Sequence, residues 1–398
     1  MLAMPAHTTL QINPELLSWA RRESGFELFR VAKRLNVKPE KVEAWEVGEK
    51  QPTLRQIENL ARFFHRPLSV FFLPQPPQLP PLAAEYRRLP NVVPGHESPE
   101  LRLSLRQMLA RRENAINLMG ELGETVTEFA LAARLDESPV EVGARLREAL
   151  NVALDEQLAW PNEWRAWATW RAAIENLGIL VFQFGKVALS EVRGIALLRT
   201  PMSVVGINSK EIPEARCFTA LHEVVHLMLA AGHQEEPAIR ENRSGEAWSN
   251  VERFAEIAAS HALVPEAALN HEIAASKVDD WDIQTTRRLA RRFRITPLAM
   301  ATRLRESGYM DWARYQTWKQ DWDHYITTLP ERSKGFATPV SKALGRNGRP
   351  FTQLVLEALS ANRITPVAAA RYLELRFEHF DKLRTAIWEG STAMMGDD

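Results

Sequence analysis

Thr219-Ala220-Leu221-His222-Glu223-Val224-Val225-His226-Leu227-Met228 constrains this chain more than any other stretch. It is apolar, contains no Gly or Pro, and reads as a helix. At 3.6 residues per turn, His222 and His226 lie one turn apart on one face, where two imidazoles can share one metal ion. Glu223, beside them, can take a proton from a metal-activated water. Two ligands do not close a site, so a second element must bring a third donor to this helix.

That donor is expected from Val251 to Val264, read as a helix capped by Asn250. Glu252 and Glu256 lie one turn apart on it, and Ala255 and Ala259 on the same face let two helices approach closely. A carboxylate here completes a His, His, Glu set and leaves a fourth position for water. Glu256 can accept the free N–H of a ligand histidine and fix its tautomer. His222-Glu223-x-x-His226 is thus the His-Glu-x-x-His pattern of zinc peptidases. His261 falls about 180° around the helix from Glu252 and is expected to face away. His233, His271 and Cys217 are not expected to be ligands.

Ahead of the metal helix, which is expected to start near Pro213, come a helix from Trp164 to Leu177 and three strands. The strands are Ile179–Phe184, Gly194–Leu198 and Ser203–Asn208, each a short apolar run. Thr200-Pro201 forms the turn between the last two. A polar loop from Gly232 to Asn250 is placed beside the cleft, and a substrate chain is expected to add along the edge of Ser203–Asn208. Trp160, Trp164, Trp167 and Trp170 read as a packing face. The 398 residues suggest about two to four domains. Lys plus Arg equals Asp plus Glu at 50 each, so no polyelectrolyte partner of the whole chain is implied. One cysteine excludes an internal disulfide. With no signal-peptide pattern in Met1–Leu10 and no apolar run of about 18 residues, the expectation is a cytoplasmic protein off the membrane.

Residues 13–73 read as short helices separated by Ser24-Gly25, Asn36-Val37-Lys38 and Gly48. With Trp45-Glu46-Val47-Gly48 and Gln51-Pro52-Thr53, this stretch resembles the phage-repressor (Xre-type) helix-turn-helix family. The positions matching the family's base-reading residues hold Pro39, Glu40, Ala44 and Leu28, which offer no donor to a base edge. Leu10–Leu73 carries 11 Lys or Arg against 8 Glu, a net +3. Weak or non-specific DNA binding follows, with Arg21, Lys38, Lys41 and Lys50 as phosphate contacts. The resemblance also implies an ion pair between Arg21 and Glu46.

Arg216 through Leu227, Val251-Glu252-Arg253-Phe254-Ala255-Glu256 through Pro265, and Gly206-Ile207-Asn208 ahead of them resemble the ImmA/IrrE metallopeptidases. That resemblance implies a zincin-like core with His222, His226 and Glu252 as ligands of zinc (manganese being the second choice) and Glu223 as catalytic base. It also implies cleavage of a DNA-binding repressor or antitoxin. Glu256 departs from the family, which usually carries Asn there. The fold class is therefore mainly α with a small β-sheet (α+β). The expected domains are a helix-turn-helix at 10–75, a Pro-rich linker at 76–99, a helical connector at 100–158 and the peptidase core at 159–276. A helical region at 277–398 follows, with a helix-turn-helix-like segment made basic by Arg287, Arg288, Arg291, Arg292, Arg294, Arg303 and Arg305. A rival reading is a transcription regulator or antitoxin whose peptidase-like part senses metal or holds a partner. Glu223 speaks for the enzyme, since a scaffold has no need of that carboxylate.

Overall fold

The computed structural model describes residues 11–78, 97–232, 245–276, 278, 280–329 and 337–395. The expected linker falls mostly on 79–96, outside the described residues, and Pro99 opens a helix. The described chain is mainly helical with one three-stranded sheet and divides into two compact units.

The first unit comprises residues 11–78 and 97–107. Its helices are α1 (Pro14–Glu23), α2 (Leu28–Leu35), α3 (Pro39–Glu46) and α4 (Leu54–Phe64), with a 3-10 turn at Leu68–Phe72 and the first half of α5 (Pro99–Leu122). Local chemistry sets these limits. Pro stands in the first turn of α1 and α3. Asn36 closes α2 in the left-handed conformation, which Asn tolerates. Thr53 and Gln56 form a capping box on α4. Leu17, Ala20, Val31, Val42, Trp45, Ile57, Leu60 and Phe64 form the core. Arg21 grips Glu46 with both ends of its fork, Nε to Oε1 at 2.6 Å and Nη2 to Oε2 at 2.9 Å, and joins α1 to α3 as expected. Arg102 donates to the carbonyls of Arg22 and Glu23 at the end of α1, and Arg106 to Phe64 at the end of α4. Cations there meet the negative ends of two helices.

The second unit, from Met108 onward, is built around the sheet. α6 (Pro139–Leu150), α7 (Leu154–Ala159) and α8 (Glu163–Asn176) precede the strands β1 (Ile179–Phe184), β2 (Gly194–Leu197) and β3 (Ser203–Asn208). The order is β1-β3-β2, with β1 parallel and β2 antiparallel to β3. The strand limits agree with the sequence reading to within one residue, β2 ending at Leu197 and not Leu198, but the expected edge does not. β3 lies in the middle with both sides paired, so no peptide can add along Ser203–Asn208. The strands are buried on both faces, which is why they read as continuous apolar runs. Ile179, Val181, Ala196, Val205 and Ile207 meet α8 and α9 (Pro213–Gly232). On the opposite face Phe182 meets Phe351 edge-on, with the Arg111 guanidinium over its ring.

α10 (Gly245–Leu263) packs on α6 and α9. It begins earlier than expected, so Asn250 lies inside the helix and is not its cap. Residues 245–250 are helical where a loop was expected, and 233–244, with His233, lie outside the described residues. The expected helical connector is also broken. Residues 124–134 form neither helix nor strand, and the Ala133 N–H donates to Met228 O at the end of α9. α11 (Glu266–Ser276), α12 (Ile283–Phe293), α13 (Pro297–Glu306) and α14 (Trp312–Thr328) follow. α15 (Pro339–Asn347), α16 (Arg349–Ser360), α17 (Pro366–Leu373) and α18 (Phe380–Met395) complete the unit.

Trp160, Trp167 and Trp170 are buried as a packing face, whereas Trp164 is 56 % exposed under the Arg216 guanidinium. The basic segment is largely tied down. Arg292 pairs with Glu272, Arg294 donates to Trp160 O, Arg303 is buried on His261, and Arg305 lies over Trp312 and Tyr315. Arginines that looked like one basic surface therefore bind neighbouring helices. Among the described residues no helix is long and apolar enough to cross a membrane.

Candidate metal centre

α9 delivers two imidazoles and α10 one carboxylate to a single point. His222 Nε2 lies 3.0 Å from His226 Nε2, and Glu252 reaches both, Oε2 to His222 at 3.2 Å and Oε1 to His226 at 3.1 Å. Ligands of one tetrahedral zinc at about 2.0–2.1 Å stand about 3.3 Å apart, so this spacing suits one ion. The rings meet edge to face, and Phe218, one turn earlier, stacks on His222. The three side chains are 13 %, 5 % and 18 % exposed, which leaves the group shielded but reachable.

The electrostatics suit a cation. Burial opposes a charge on His222, yet Glu252, Glu223 and Glu256 outweigh it and raise the imidazole above its ordinary pKa. Burial likewise opposes the charge on Glu252, and hydrogen bonds to both histidines overcome it and hold the carboxyl well below the usual range. His222 Nδ1 is buried without a hydrogen-bond partner among the described residues. The donor set of two imidazole nitrogens and a carboxylate, within a field of three carboxylates, fits zinc, and manganese less well because it favours oxygen.

Glu223 sits on α9 at 5 % exposure. Its carboxylate backs onto Gly194, the first residue of edge strand β2. A Cβ at Gly194 would stand 2.6 Å from Glu223 Oε1 and 2.6 Å from Thr219 Cγ2. Glycine here makes room for the carboxylate, a role that sequence reasoning missed. The only available signal was a lone Gly opening a strand. Asn208 was also missed as a support. Its buried amide donates to the carbonyls of Val187 and Val192, and its Oδ1 accepts from Lys210 N. That amide ties the chain before β2 to the turn before α9. Arg216 reinforces the turn by donating to the carbonyls of Glu211 and Ser209.

Glu256 shares the face of Glu252 but is exposed and makes no hydrogen bond to His222 Nδ1, contrary to its expected part in fixing the tautomer. One turn carries it about 5.4 Å farther along the helix, past the ring. Partial desolvation of its carboxyl beside α9 raises its pKa, opposed by the His222 charge. His261 faces away as expected and is buried against Arg303. His271 is exposed on α11. Cys217 is buried, donates to Pro213 O, and has its thiol pKa pushed up by burial.

In the first unit Lys38, Lys41 and Lys50 are exposed and open to phosphate, with the Lys41 ammonium 5.7 Å from the centroid of the Trp45 ring. Arg21 is not open in this way. Its fork is filled by Glu46, and its remaining Nη1 donates to Phe26 O. Ala44 is buried and faces the core, so it cannot present itself to a base.

Residues 174–305 match the family model of the IrrE N-terminal-like domain, Peptidase_M78. The matched stretch runs from the end of α8 through the sheet, α9 and α10 to the end of α13, and supports a metallopeptidase domain of the ImmA/IrrE type. No curated protein matches the chain.

Proposed function

We propose that this chain is a zinc-dependent endopeptidase that cleaves a DNA-binding repressor or antitoxin and so controls transcription. The observation that carries this reading is the meeting of His222 Nε2, His226 Nε2 and Glu252 at about 3 Å, with Glu223 next to His222 on the same helix. A zinc ion held there supplies Lewis-acid chemistry, polarising a carbonyl and making a water acidic near neutral pH.

The chain's own residues do the rest. Glu223 takes the proton of the attacking water on its carboxylate and later hands it to the leaving amine. Gly194 holds that carboxylate against the start of β2, so a substrate strand lying along β2 brings its peptide group to the base. β2, an edge strand of the sheet, takes the role first expected of β3. Glu252 and Glu256 keep the cleft negative, which favours the cation and suits a substrate segment without acidic side chains.

The first unit is read as an Xre-type helix-turn-helix, with α2 and α3 around Asn36–Lys38. Its exposed lysines suit loose phosphate contact, and Pro39 and Glu40 at the head of α3 give no donor to a base. The protein acts where its substrate sits, in a cytoplasmic regulatory circuit. The test is co-expression with the DNA-binding protein encoded beside it, wild type against Glu223→Gln. A partner cut only by the wild type supports the peptidase. A partner left intact by zinc-loaded wild type but bound by it would favour the regulator reading.

A further inference from the structure

α10 carries Glu252 and meets α6 through small residues, with Val251, Phe254 and Leu263 buried in the core at its other contacts. Ala255, Ala258, Ala259 and Ala262 are all fully buried, and a Cβ on Gly143 of α6 would stand 2.4 Å from Ala258 O. Such a contact brings two backbones close together, and the small side chains along it add little interlocking of their own. The end of α10 is different. The carbonyls of its last two residues, and of Val264 directly after it, are each taken by a side chain from another helix. Arg147 of α6 donates to Ala262 O at 2.8 Å, Gln157 of α7 to Leu263 O at 3.0 Å, and Arg303 of α13 to Val264 O at 3.3 Å. These donors are themselves linked. Gln157 accepts from Arg147 at 2.8 Å and also donates to Phe293 O, the end of α12. Arg303 lies on His261, a residue of α10 itself, with contacts of 2.8 and 3.0 Å to the two ring nitrogens. Gln157 is fully buried and Arg303 is 2 % exposed, so the bonds of these two are shielded from water.

We propose that Arg147, Gln157 and Arg303 are positioning residues for the metal centre: by holding the last carbonyls of α10 they fix its axial position, and with it the Glu252 carboxylate. This inference rests on the reading of Glu252 as a ligand. Eleven residues separate Glu252 from Leu263, about 16 Å of helix. A helix carries an axial shift undiminished over that length. Metal–oxygen distances tolerate only about 0.2 Å, so a slide of a fraction of a turn opens the site. Arg147 and Gln157 lie outside residues 174–305, so two of the three anchors come from helices that precede the matched stretch.

The experiment uses the full chain and two side-chain replacements of similar volume, Gln157→Met and Arg303→Met, with Arg303→Lys as a milder variant retaining one donor. Zinc affinity is measured by competition with a chromophoric chelator, and Co2+-loaded protein is followed by its visible absorption. Phe351→Leu, in the core on the far side of the sheet, serves as a control for general destabilisation. Expected are about tenfold or greater losses of zinc affinity for both Met variants, the usual cost of losing a group that orients a ligand. Their Co2+ band should weaken in the manner of Glu252→Ala, Arg303→Lys should fall between them and wild type, and Phe351→Leu should keep the wild-type spectrum. Wild-type affinity and spectrum in the Met variants would overturn the positioning role alone. So would equal losses in Phe351→Leu. A wild type that takes up no metal, or a Glu252→Ala spectrum identical to wild type, would overturn the centre itself and the positioning role with it.

Discussion

Gly194→Ala adds one methyl group, and the structure says where it goes. Gly194 has no left-handed backbone requirement, so alanine adopts the strand conformation without strain. By reducing the freedom of the unfolded chain, the change alone would stabilise by about 0.4–1 kcal/mol. The contact works the other way. The new Cβ would stand 2.6 Å from Glu223 Oε1, where ordinary contact begins at 3.4 Å, so carboxylate or strand must yield by about 0.8 Å. Thr219 Cγ2, also at 2.6 Å, belongs to a β-branched side chain that is stiff on a helix and closes one route of escape. Misplacing a reacting group by about 1 Å can cost about 100-fold in rate, or roughly 2.7 kcal/mol of barrier. The expected result is a fall in kcat of one to two orders of magnitude on a peptide substrate, with zinc affinity unchanged because the displaced group is not a ligand. Overpacking should lower stability by about 1–3 kcal/mol. The assay pairs steady-state kinetics with zinc competition and a denaturant melt. Wild-type kcat together with equal or higher stability would show that Glu223 is not held against β2 in the working protein.

Further outcomes follow from named contacts. Glu223→Gln should retain metal and fold while losing at least about 100-fold in cleavage, because that is the scale of general-base catalysis; the check is metal content beside activity. His222→Ala should abolish stoichiometric zinc, measured by elemental analysis of dialysed protein. Glu46→Gln removes one partner of the nearly buried Arg21 fork and should destabilise the first unit by about 2–4 kcal/mol, read from a urea melt of the full chain. His261 is held down to about 4, first by burial and then by the Arg303 charge. Its folded pKa lies below the unfolded value of 6.5, so its contribution to stability is complete above pH 6.5 and is lost as pH falls toward 4. His261→Gln should flatten that part of the stability profile, and an unchanged acid limb in thermal melts from pH 7 to 4 would remove His261 from it. The first unit should bind duplex DNA at micromolar strength or weaker, with steep salt dependence and no preference for its own promoter, by fluorescence anisotropy.

The centre was legible in the sequence because helices turn position into direction. His222, His226 and Glu252 lie on two helical stretches, and the four-residue step already places both imidazoles on one side. The strand limits were legible for a similar reason, since burial on both faces turns β1, β2 and β3 into apolar runs. Strand order carries no such mark. β3 follows β2 in the chain yet pairs with β1 on its other side, so the edges of the sheet belong to β1 and β2. Residues 124–134 show the same limit. Their apolar residues suit a helix, but the chain there is irregular and bonds to α9 through the Ala133 N–H to Met228 O.

What the sequence could not show are groups whose effect lies in what they leave empty or whom they meet far along the chain. Gly194 acts by having no side chain, and nothing in its neighbours names Glu223 as the group that fills the space. Gln157 reads as a polar residue on a short helix, yet it is fully buried and joins the ends of α10 and α12 through donors to Leu263 and Phe293. Arg303 reads as one cation in a basic run, yet it is the deepest of them and holds α10 from its end. Exposed charges announce themselves by pattern, whereas a buried polar group is informative only through its partner. The residues of this cluster could therefore be listed from local spacing. The reason they meet within about 3 Å lies partly in three side chains that bind no metal at all.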